Sequence, residues 1–578
     1  MVGGSVDGYR APVPTPTEAP GPHPDTAASA PEDPTAERIR SAATELLGLD
    51  ELRPGQAEAA VAIVSGRDTL AVMPTGSGKS AVYQVAAALL EGPTVVVSPL
   101  IALQKDQVEA IAAQDVGLAA AANSTISADE REWIFDAVAA GGLEFLFLSP
   151  EQLAREETVA RLAEAKPSLF VVDEAHCISE WGHDFRTDYL RLAAAADAVG
   201  RPPILALTAT ASPVVRDEIV ERLRMQDPEV VVRGFDRPNL RIEVETHHRE
   251  RDKLDALVGH VGRLEGTGIV YVATRRSAEE VAAALVERTG RRVGHYHGGM
   301  RAADRRAAQD AFMDGDVEVV VATTAFGMGI DKADVRFVIH HDVPESVDAW
   351  YQEVGRAGRD GEPAVTILLW RPEDLGLRSF FAGGGTLGRD ELERVAAMAA
   401  VAGEPVSAED LGEEARLAPT RLAMALARLE EVGAVTTGID GSVAVPEGAP
   451  PAAAAAEEAD RDQEARRQVE RTRLDMVRAF AETRSCRRRF VLTYFGEDAP
   501  DRCGSCDSCD RPLEAGDPDE VASAEGRWPV HSRVRHDSWG EGLVLRHEED
   551  AMVVLFDDAG YRTLSVELVE RGGLLERL

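Results

Sequence analysis

Thr69-Leu70-Ala71-Val72-Met73-Pro74-Thr75-Gly76-Ser77-Gly78-Lys79-Ser80 is a short apolar run that turns through glycines into an alanine-rich helical stretch. The general phosphate-loop pattern carries Gly at the Met73 position, so this is a variant, but its working parts are present. Thr75, Gly76, Ser77 and Gly78 form a loop whose glycines let backbone N–H groups turn inward around an anion. Lys79 is placed to reach the β- and γ-phosphates of a nucleotide, and the Ser80 hydroxyl to ligate Mg²⁺. The helix that follows adds its positive dipole end.

Outward from this loop the chain alternates. Thr69–Val72, Thr94–Val97, Phe145–Leu148, Leu169–Val172 and Ile204–Leu207 read as strands separated by Ala-rich helices, the βαβ signature of a covered parallel sheet. A second set begins near residue 231: Gly268–Val272, Val293–Tyr296, Val317–Ala322, Phe337–His340 and Ala364–Leu369. Two α/β domains are expected, over 37–230 and 231–385.

The strand Leu169–Val172 ends in Asp173-Glu174-Ala175-His176. Asp173 is placed to hold Mg²⁺ and Glu174 to activate an attacking water, which is what phosphoryl transfer to water requires. In the second set, Arg356 and Arg359 are three residues apart; read as one helix face, they can meet γ-phosphate oxygens across a cleft. Nucleotide binding would then close two domains and hydrolysis open them, which is a motor cycle.

Composition sets the limits. The chain has 578 residues, room for about four domains. Asp and Glu number 100 against 62 Lys and Arg, a net charge of −38, which excludes a uniformly basic nucleic-acid coat. No run of apolar residues is long enough for a membrane span, and no signal peptide is legible at the N-terminus. Residues 1–36, with eight prolines, read as a disordered acidic tail. Residues 389–447 read as three helices, Asp390–Ala402, Ala408–Arg416 and Thr420–Val432, followed by a two-stranded wing, the winged-helix pattern. Their acidity leaves a DNA-binding and a spacer role both open. Gly448–Asp460 and Arg511–Arg527 read as linkers, and Asp462–Glu482 as a long charged helix. Four short strands over 528–578 suffice for a small SH3-like barrel.

Cys486, Cys503, Cys506 and Cys509 are spaced C-x16-C-x2-C-x2-C, which suits one tetrahedral, closed, structural Zn²⁺ site. Cys177 lies apart and reads as a small buried residue. Arg484, Arg487, Arg488 and Arg489 form the densest basic cluster; phosphate contacts and pairing with nearby carboxylates are both open to them. Trp181, Phe185 and Tyr189, with Arg186, follow the Asp-Glu strand; aromatic faces stack on any base and grip a single strand without reading it.

Read in order, these residues resemble the RecQ family of superfamily-two DNA helicases, over about residues 37–385 and 461–512. Arg53-Pro54-Gly55-Gln56 is similar to the family's adenine-reading motif, which implies a hydrogen bond from Gln56 to the adenine edge and Arg53 packed on the ring. Two leucines, Leu49 and Leu52, stand where the family usually has aromatics. The segment from His176 to Arg186, with Trp181, His183 and Phe185, resembles its aromatic-rich DNA-contacting loop, with Glu180 where the family favours Gln. The zinc cysteines, with Cys486-Arg487-Arg488-Arg489-Phe490, resemble its zinc module.

The resemblance implies two RecA-like motor domains, a winged-helix-like insertion (389–447), a helical zinc module (461–512) and a small β-barrel (528–578). The insertion precedes the cysteines, whereas family members place a winged helix after them. The barrel resembles the Tudor-like domain of UvrD-type helicases, which implies docking of a protein partner, RNA polymerase or a repair factor. The implied activity is ATP-, Mg²⁺- and Zn²⁺-dependent 3′–5′ translocation on single-stranded DNA with duplex unwinding, by a monomer, in the cytoplasm at the nucleoid.

Overall fold

The computed structural model describes residues 34–578 except 54, 124–125, 180–185, 328–331, 377–386, 438–441, 498, 512–526, 529–531, 549–550 and 557–559. The 1–36 tail and the Arg511–Arg527 linker fall almost wholly outside the described residues.

Seven strands build the first sheet: β1 (Thr69–Val72), β2 (Thr94–Val97), β3 (Ala119–Ala122), β4 (Phe145–Leu148), β5 (Leu169–Val172), β6 (Ile204–Thr208) and β7 (Glu229–Val232). Their order is β3-β4-β2-β5-β6-β1-β7, and every pairing is parallel. β1, β2, β4, β5 and β6 are buried along their whole length, because helices cover both faces. β1 and β5, which carry the glycine loop and the Asp-Glu pair, both flank β6. The two motifs therefore lie at the carboxyl ends of strands separated by β6 alone, where ligands of open α/β sheets sit.

The second sheet is also parallel: β8 (Leu240–Thr246), β9 (Thr267–Tyr271), β10 (Val293–Tyr296), β11 (Val319–Ala322), β12 (Val335–His340) and β13 (Ala364–Trp370), in the order β10-β11-β9-β12-β13-β8. The seven residues 233–239 join the two sheets.

Helices Arg389–Ala402, Ala408–Ala415 and Pro419–Glu431 follow, with a small antiparallel sheet of β14 (Val406–Ser407), β15 (Thr436–Thr437) and β16 (Ser442–Ala444). The linker expected over Gly448–Asp460 is absent. Helix Ala452–Glu482 starts directly after Pro451, and Ala455, Ala456 and Ala459 are buried among Leu392, Val395 and Leu429. Alanine is the strongest helix former, and three alanines on one face make a packing stripe. The same 31-residue helix runs on to the zinc cysteines, so it welds the insertion to the zinc module.

The C-terminal region is an antiparallel five-stranded sheet: β17 (Arg533–His536), β18 (Gly540–Glu548), β19 (Ala551–Phe556), β20 (Gly560–Ser565) and β21 (Leu575–Arg577), in the order β20-β19-β18-β17-β21. Trp528, Val534, Val544, Met552 and Phe556 form its core. Helix Val566–Gly572 and β21 were not legible in the sequence. Among the described residues no helix is long and apolar enough to cross a membrane.

Candidate active site

The loop after β1 bends through Gly76 and Gly78, each at φ 78°, a left-handed conformation that favours glycine. Arg53 and Gln56 grip its outer side. Arg53 Nη1 donates to Gly76 O at 2.7 Å, and Gln56 Nε2 donates to Ser77 O at 2.8 Å and Gly78 O at 2.9 Å. Gln56 Oε1 accepts from Arg53 N at 2.8 Å. The two residues expected to read adenine are thus bonded here to the phosphate loop itself. With its carbonyls taken up by Arg53 and Gln56, the loop leaves Ser77 Oγ buried and without a hydrogen-bond partner among the described residues. An inward-turned loop holding an unsatisfied hydroxyl suits a phosphate, which would supply the acceptor.

Lys79 lies above the strand ends, its Nζ donating to Met73 O at 3.2 Å. Burial lowers its pKa, while Glu174 and Asp173 oppose that shift. Ser80 opens helix Ser80–Ala87. At the end of β5, burial and then the adjacent Glu174 carboxylate push Asp173 up to about 7. A buried and a partly buried carboxylate side by side near a lysine suit a divalent cation, which would keep both ionised. Glu174 stands at φ 49°, strained for a residue with a side chain, and its Oε2 lies 3.3 Å from His176 Nδ1. His176 Nδ1 is also 2.9 Å from Thr208 Oγ1, so the Asp-Glu strand is coupled to the end of β6.

The second domain reaches into this site with one arginine. Arg359 lies against Gly76, and its charge acts on Lys79. Arg356, only 4% exposed, instead packs over Gly327 and hydrogen-bonds Tyr271. Reading the pair as one helix face needs correction. The helix ends at Val354, and Gly355 and Gly358 (φ 58°) lead into turns, so the two side chains diverge.

Of the aromatic-rich segment, Trp181, His183 and Phe185 lie outside the described residues. Arg186 Nη1 donates to Pro99 O at 3.2 Å. Tyr189 corrects a second expectation: it is fully buried, and its hydroxyl donates to Asp173 O at 3.0 Å. It braces the catalytic strand end and cannot stack on a base. Cys177 is buried, as expected.

The four module cysteines converge, with their sulfur atoms all within 4.8 Å of one another. Four thiolates at a Zn–S distance of about 2.3 Å stand roughly 3.8 Å apart, so the donor set fits tetrahedral Zn²⁺. A hydrogen bond between Cys486 and Cys506 holds the Cys506 thiol below its usual range and pushes Cys486 up. The neighbouring arginines divide. Arg487 binds Asp507 through two hydrogen bonds at 3.0 and 3.1 Å. Arg488 donates to Leu240 O at 2.6 Å and pairs with Asp236 at 3.2 Å. Both are buried; Arg487 ties the module together and Arg488 holds it to the motor; Arg484 is exposed, and Arg489 is half-buried beside Asp501.

Sequence reasoning passed over Phe235, Arg237 and Asn239, in the stretch joining the two sheets. Phe235 stacks on Phe495 with ring centroids 4.2 Å apart, and Tyr351 donates to Phe235 O at 2.8 Å. Only an Arg-Pro-Asn triplet immediately before a strand marks them in the sequence.

Family profiles match this layout. A DEAD/DEAH box helicase profile covers residues 53–218, a helicase conserved C-terminal domain profile 252–361, and a RecQ zinc-binding profile 453–510. The chain is 40% identical over 341 residues to the probable ATP-dependent DNA helicase RecS of Bacillus subtilis, covering 59% of this chain and 68% of that one. It is 33% identical over 475 residues to the ATP-dependent DNA helicase RecQ of the same organism, covering 82% and 67%.

The chain belongs to the RecQ family.

A third RecQ relative, from Pasteurella multocida, is 34% identical over 464 residues, covering 80% of this chain and 61% of its own length. The alignments thus span 61 to 68% of these RecQ-family relatives. Among solved structures, the DUF1998 helicase MrfA bound to DNA shares the fold, with a TM-score of 0.51 at 17% identity, covering 74% of this chain and 64% of that one. Two RecA-like sheets with a RecQ zinc module are therefore the architecture of this RecQ-family chain.

Proposed function

We propose that this chain is an ATP-dependent DNA helicase that moves 3′ to 5′ along one strand and separates duplex during repair and recombination. The observation that carries the reading is the meeting of Lys79, Asp173, Glu174 and Arg359 at one point, three from the first motor domain and one from the second. In this reading the loop from Thr75 to Gly78 and Lys79 hold the phosphates, and Arg53 and Gln56 border the base. Ser80 and Asp173 would hold Mg²⁺, whose chemistry there is neutralisation of phosphate charge. Glu174 takes a proton from water as its oxygen bonds to the γ-phosphorus. The bond from that phosphorus to the β–γ bridging oxygen breaks, and ADP and phosphate leave. Arg359 offsets charge on the transferred group, and Arg356 supports it from the Gly327 side. Since the two domains share the site only when closed, each hydrolysis lets them part.

Trp181, His183, Phe185 and Arg186, which follow the Asp-Glu pair in the sequence, would contact the single strand. The Zn²⁺ held by Cys486, Cys503, Cys506 and Cys509 is structural. A monomer working at the nucleoid in the cytoplasm, with residues 528–578 docking RNA polymerase or a repair factor, completes the proposal. A second reading is a motor that strips proteins from DNA without unwinding, favoured by the place of the 389–444 unit ahead of the zinc helix.

The test is strand separation of a 3′-tailed duplex with ATP, wild type beside Glu174→Gln, with a 5′-tailed duplex as polarity control. Separation by wild type alone, on the 3′ tail alone, supports the helicase. ATP hydrolysis stimulated by DNA without separation supports the second reading.

A further inference from the structure

The turn that carries Arg356 and Arg359 has its backbone carbonyls held from outside. Arg237 Nη2 donates to Ala357 O at 2.9 Å and to Gly358 O at 3.0 Å, and Nη1 approaches Gly355 O at 3.5 Å. Asn239 Nδ2 donates to Gly358 O at 2.8 Å and to Glu362 O at 2.9 Å. Asn239 occupies the space a side chain at 358 would need: a methyl group there would stand 2.5 Å from Nδ2. One cation and one amide thus fasten both ends of the turn, whose middle is also tied to β12 by Gly358 N donating to Val335 O at 2.9 Å. Both come from residues 233–239, the stretch joining the motor domains.

That stretch is gripped from the other side as well. Phe235 stacks on Phe495, and Arg488 binds Asp236 and Leu240 O. Any change in the angle between the domains must pass through these residues, and the arginine turn is bonded directly to them.

We propose that Arg237 and Asn239 are positioning residues for Arg359: they tie the arginine turn to the interdomain stretch, so that domain closure and delivery of the arginine to the phosphate loop are one event. The proposal rests on the reading of Arg359 given above. Neither residue touches nucleotide; they act through the turn.

The experiment is steady-state ATP hydrolysis at saturating single-stranded DNA on the full, zinc-loaded chain. Arg237→Ala, Arg237→Lys, Asn239→Ala, Arg359→Ala and the double variant Arg237→Ala/Arg359→Ala are compared, with affinity for a fluorescent ATP analogue measured in parallel. Misplacing a group by about 1 Å can lower rate by roughly a hundredfold, so Arg237→Ala is expected to lose about tenfold or more in kcat. Nucleotide affinity should stay within about twofold, because the phosphate-loop groups are untouched. Arg237→Lys, which keeps a donor, should recover part of the rate. The double variant should be no slower than Arg359→Ala, since residues acting as a unit are non-additive.

Losses that multiply in the double variant would overturn the proposal, as would wild-type kcat in Arg237→Ala. A matching fall in affinity and zinc content would mark Arg237 as merely structural and also overturn it; should that variant fold poorly, Asn239→Ala makes the same comparison. If Arg359→Ala itself hydrolyses ATP at the wild-type rate, the underlying reading fails. If Arg359→Ala is slow and Arg237→Ala is not, only the positioning proposal fails.

Discussion

Arg359 of the second motor domain lies against Gly76 in the phosphate loop of the first: a methyl group on Gly76 would stand 3.4 Å from Arg359 Cδ and 3.7 Å from its Nε. The arginine of one domain thus packs at van der Waals distance on a loop residue whose left-handed backbone favours glycine.

Gly76→Ala should fail on backbone grounds. The left-handed conformation costs about 1 kcal/mol for any residue with a β-carbon. The methyl group itself meets Arg359 only at van der Waals distance, so it is the loop that must shift. ATP hydrolysis is expected to fall about tenfold or more, with a small loss of melting temperature. Hydrolysis assays beside thermal melts check this; wild-type turnover would show that the loop keeps its shape without glycine at this position.

The zinc centre is fastened to the second sheet as well as to itself. Ile242 N donates to Ser505 O at 3.4 Å, and Arg241 pairs with Asp510 at 2.5 Å. Cys506→Ser should leave the chain without its zinc, read by metal analysis. Its melting midpoint should drop by about 5 °C or more, since 1 kcal/mol moves a domain of this size by about 2–4 °C. Retained zinc at full stoichiometry would exclude Cys506 as a ligand.

A buried charge cluster predicts the acid limb of stability. Lys253 is fully buried, with Asp342 at 3.2 Å and Asp374 at 2.7 Å. Burial pushes Asp342 up, but His341, Lys253 and the Ala273 N–H together outweigh it and hold it well below the usual carboxylate range. A depressed carboxylate stabilises the fold above its unfolded pKa, about 3.9, and that contribution is lost as pH falls further. Lys253→Met should cost up to about 3 kcal/mol at neutral pH, because Asp342 and Asp374 lose their shared buried cation and keep only His341 and Arg371 beside them. The gap in melting midpoint between wild type and variant should narrow below about pH 4, where protonation removes the unpaired charge. A gap constant with pH would refute the electrostatic account.

Much of this was legible in the chain, for identifiable reasons. β1, β2, β4, β5 and β13 are apolar runs rich in β-branched or aromatic residues and bounded by turn residues, so composition alone locates them. β3 is four alanines, a helix-forming sequence that is a strand only because it pairs along Phe145–Leu148. The alanines before Asp460 mislead in the opposite way: low complexity suggested a linker, and a buried neighbour made them helix. At the site, the phosphate loop and the Asp-Glu pair are local motifs and were readable. The divergence of Arg356 from Arg359, the burial of Tyr189 and the grip of Arg237 on the arginine turn depend on contacts between segments distant in sequence, which no local pattern encodes.

The arginine cluster before the zinc site gives the sharpest separation between a readable pattern and its use. Four arginines in six residues look like a phosphate-binding strip. Arg487 and Arg488 are buried and spent on Asp507, Asp236 and the Leu240 carbonyl. Arg484 is exposed. If this face meets duplex phosphates, Arg484→Ala should weaken DNA binding evenly across sequences. It should also reduce the slope of log affinity against log salt by about one, the counterion share of a single phosphate contact. Arg488→Ala should leave that slope unchanged, because its guanidinium never reaches solvent. It should instead lower the melting midpoint, since Asp236 and a buried carbonyl lose their donor. Affinity titrations at several salt concentrations, with melts of the same samples, separate the two. A slope change in Arg488→Ala without loss of stability would mean the buried arginine swings out to the DNA and that its bond to Leu240 is dispensable.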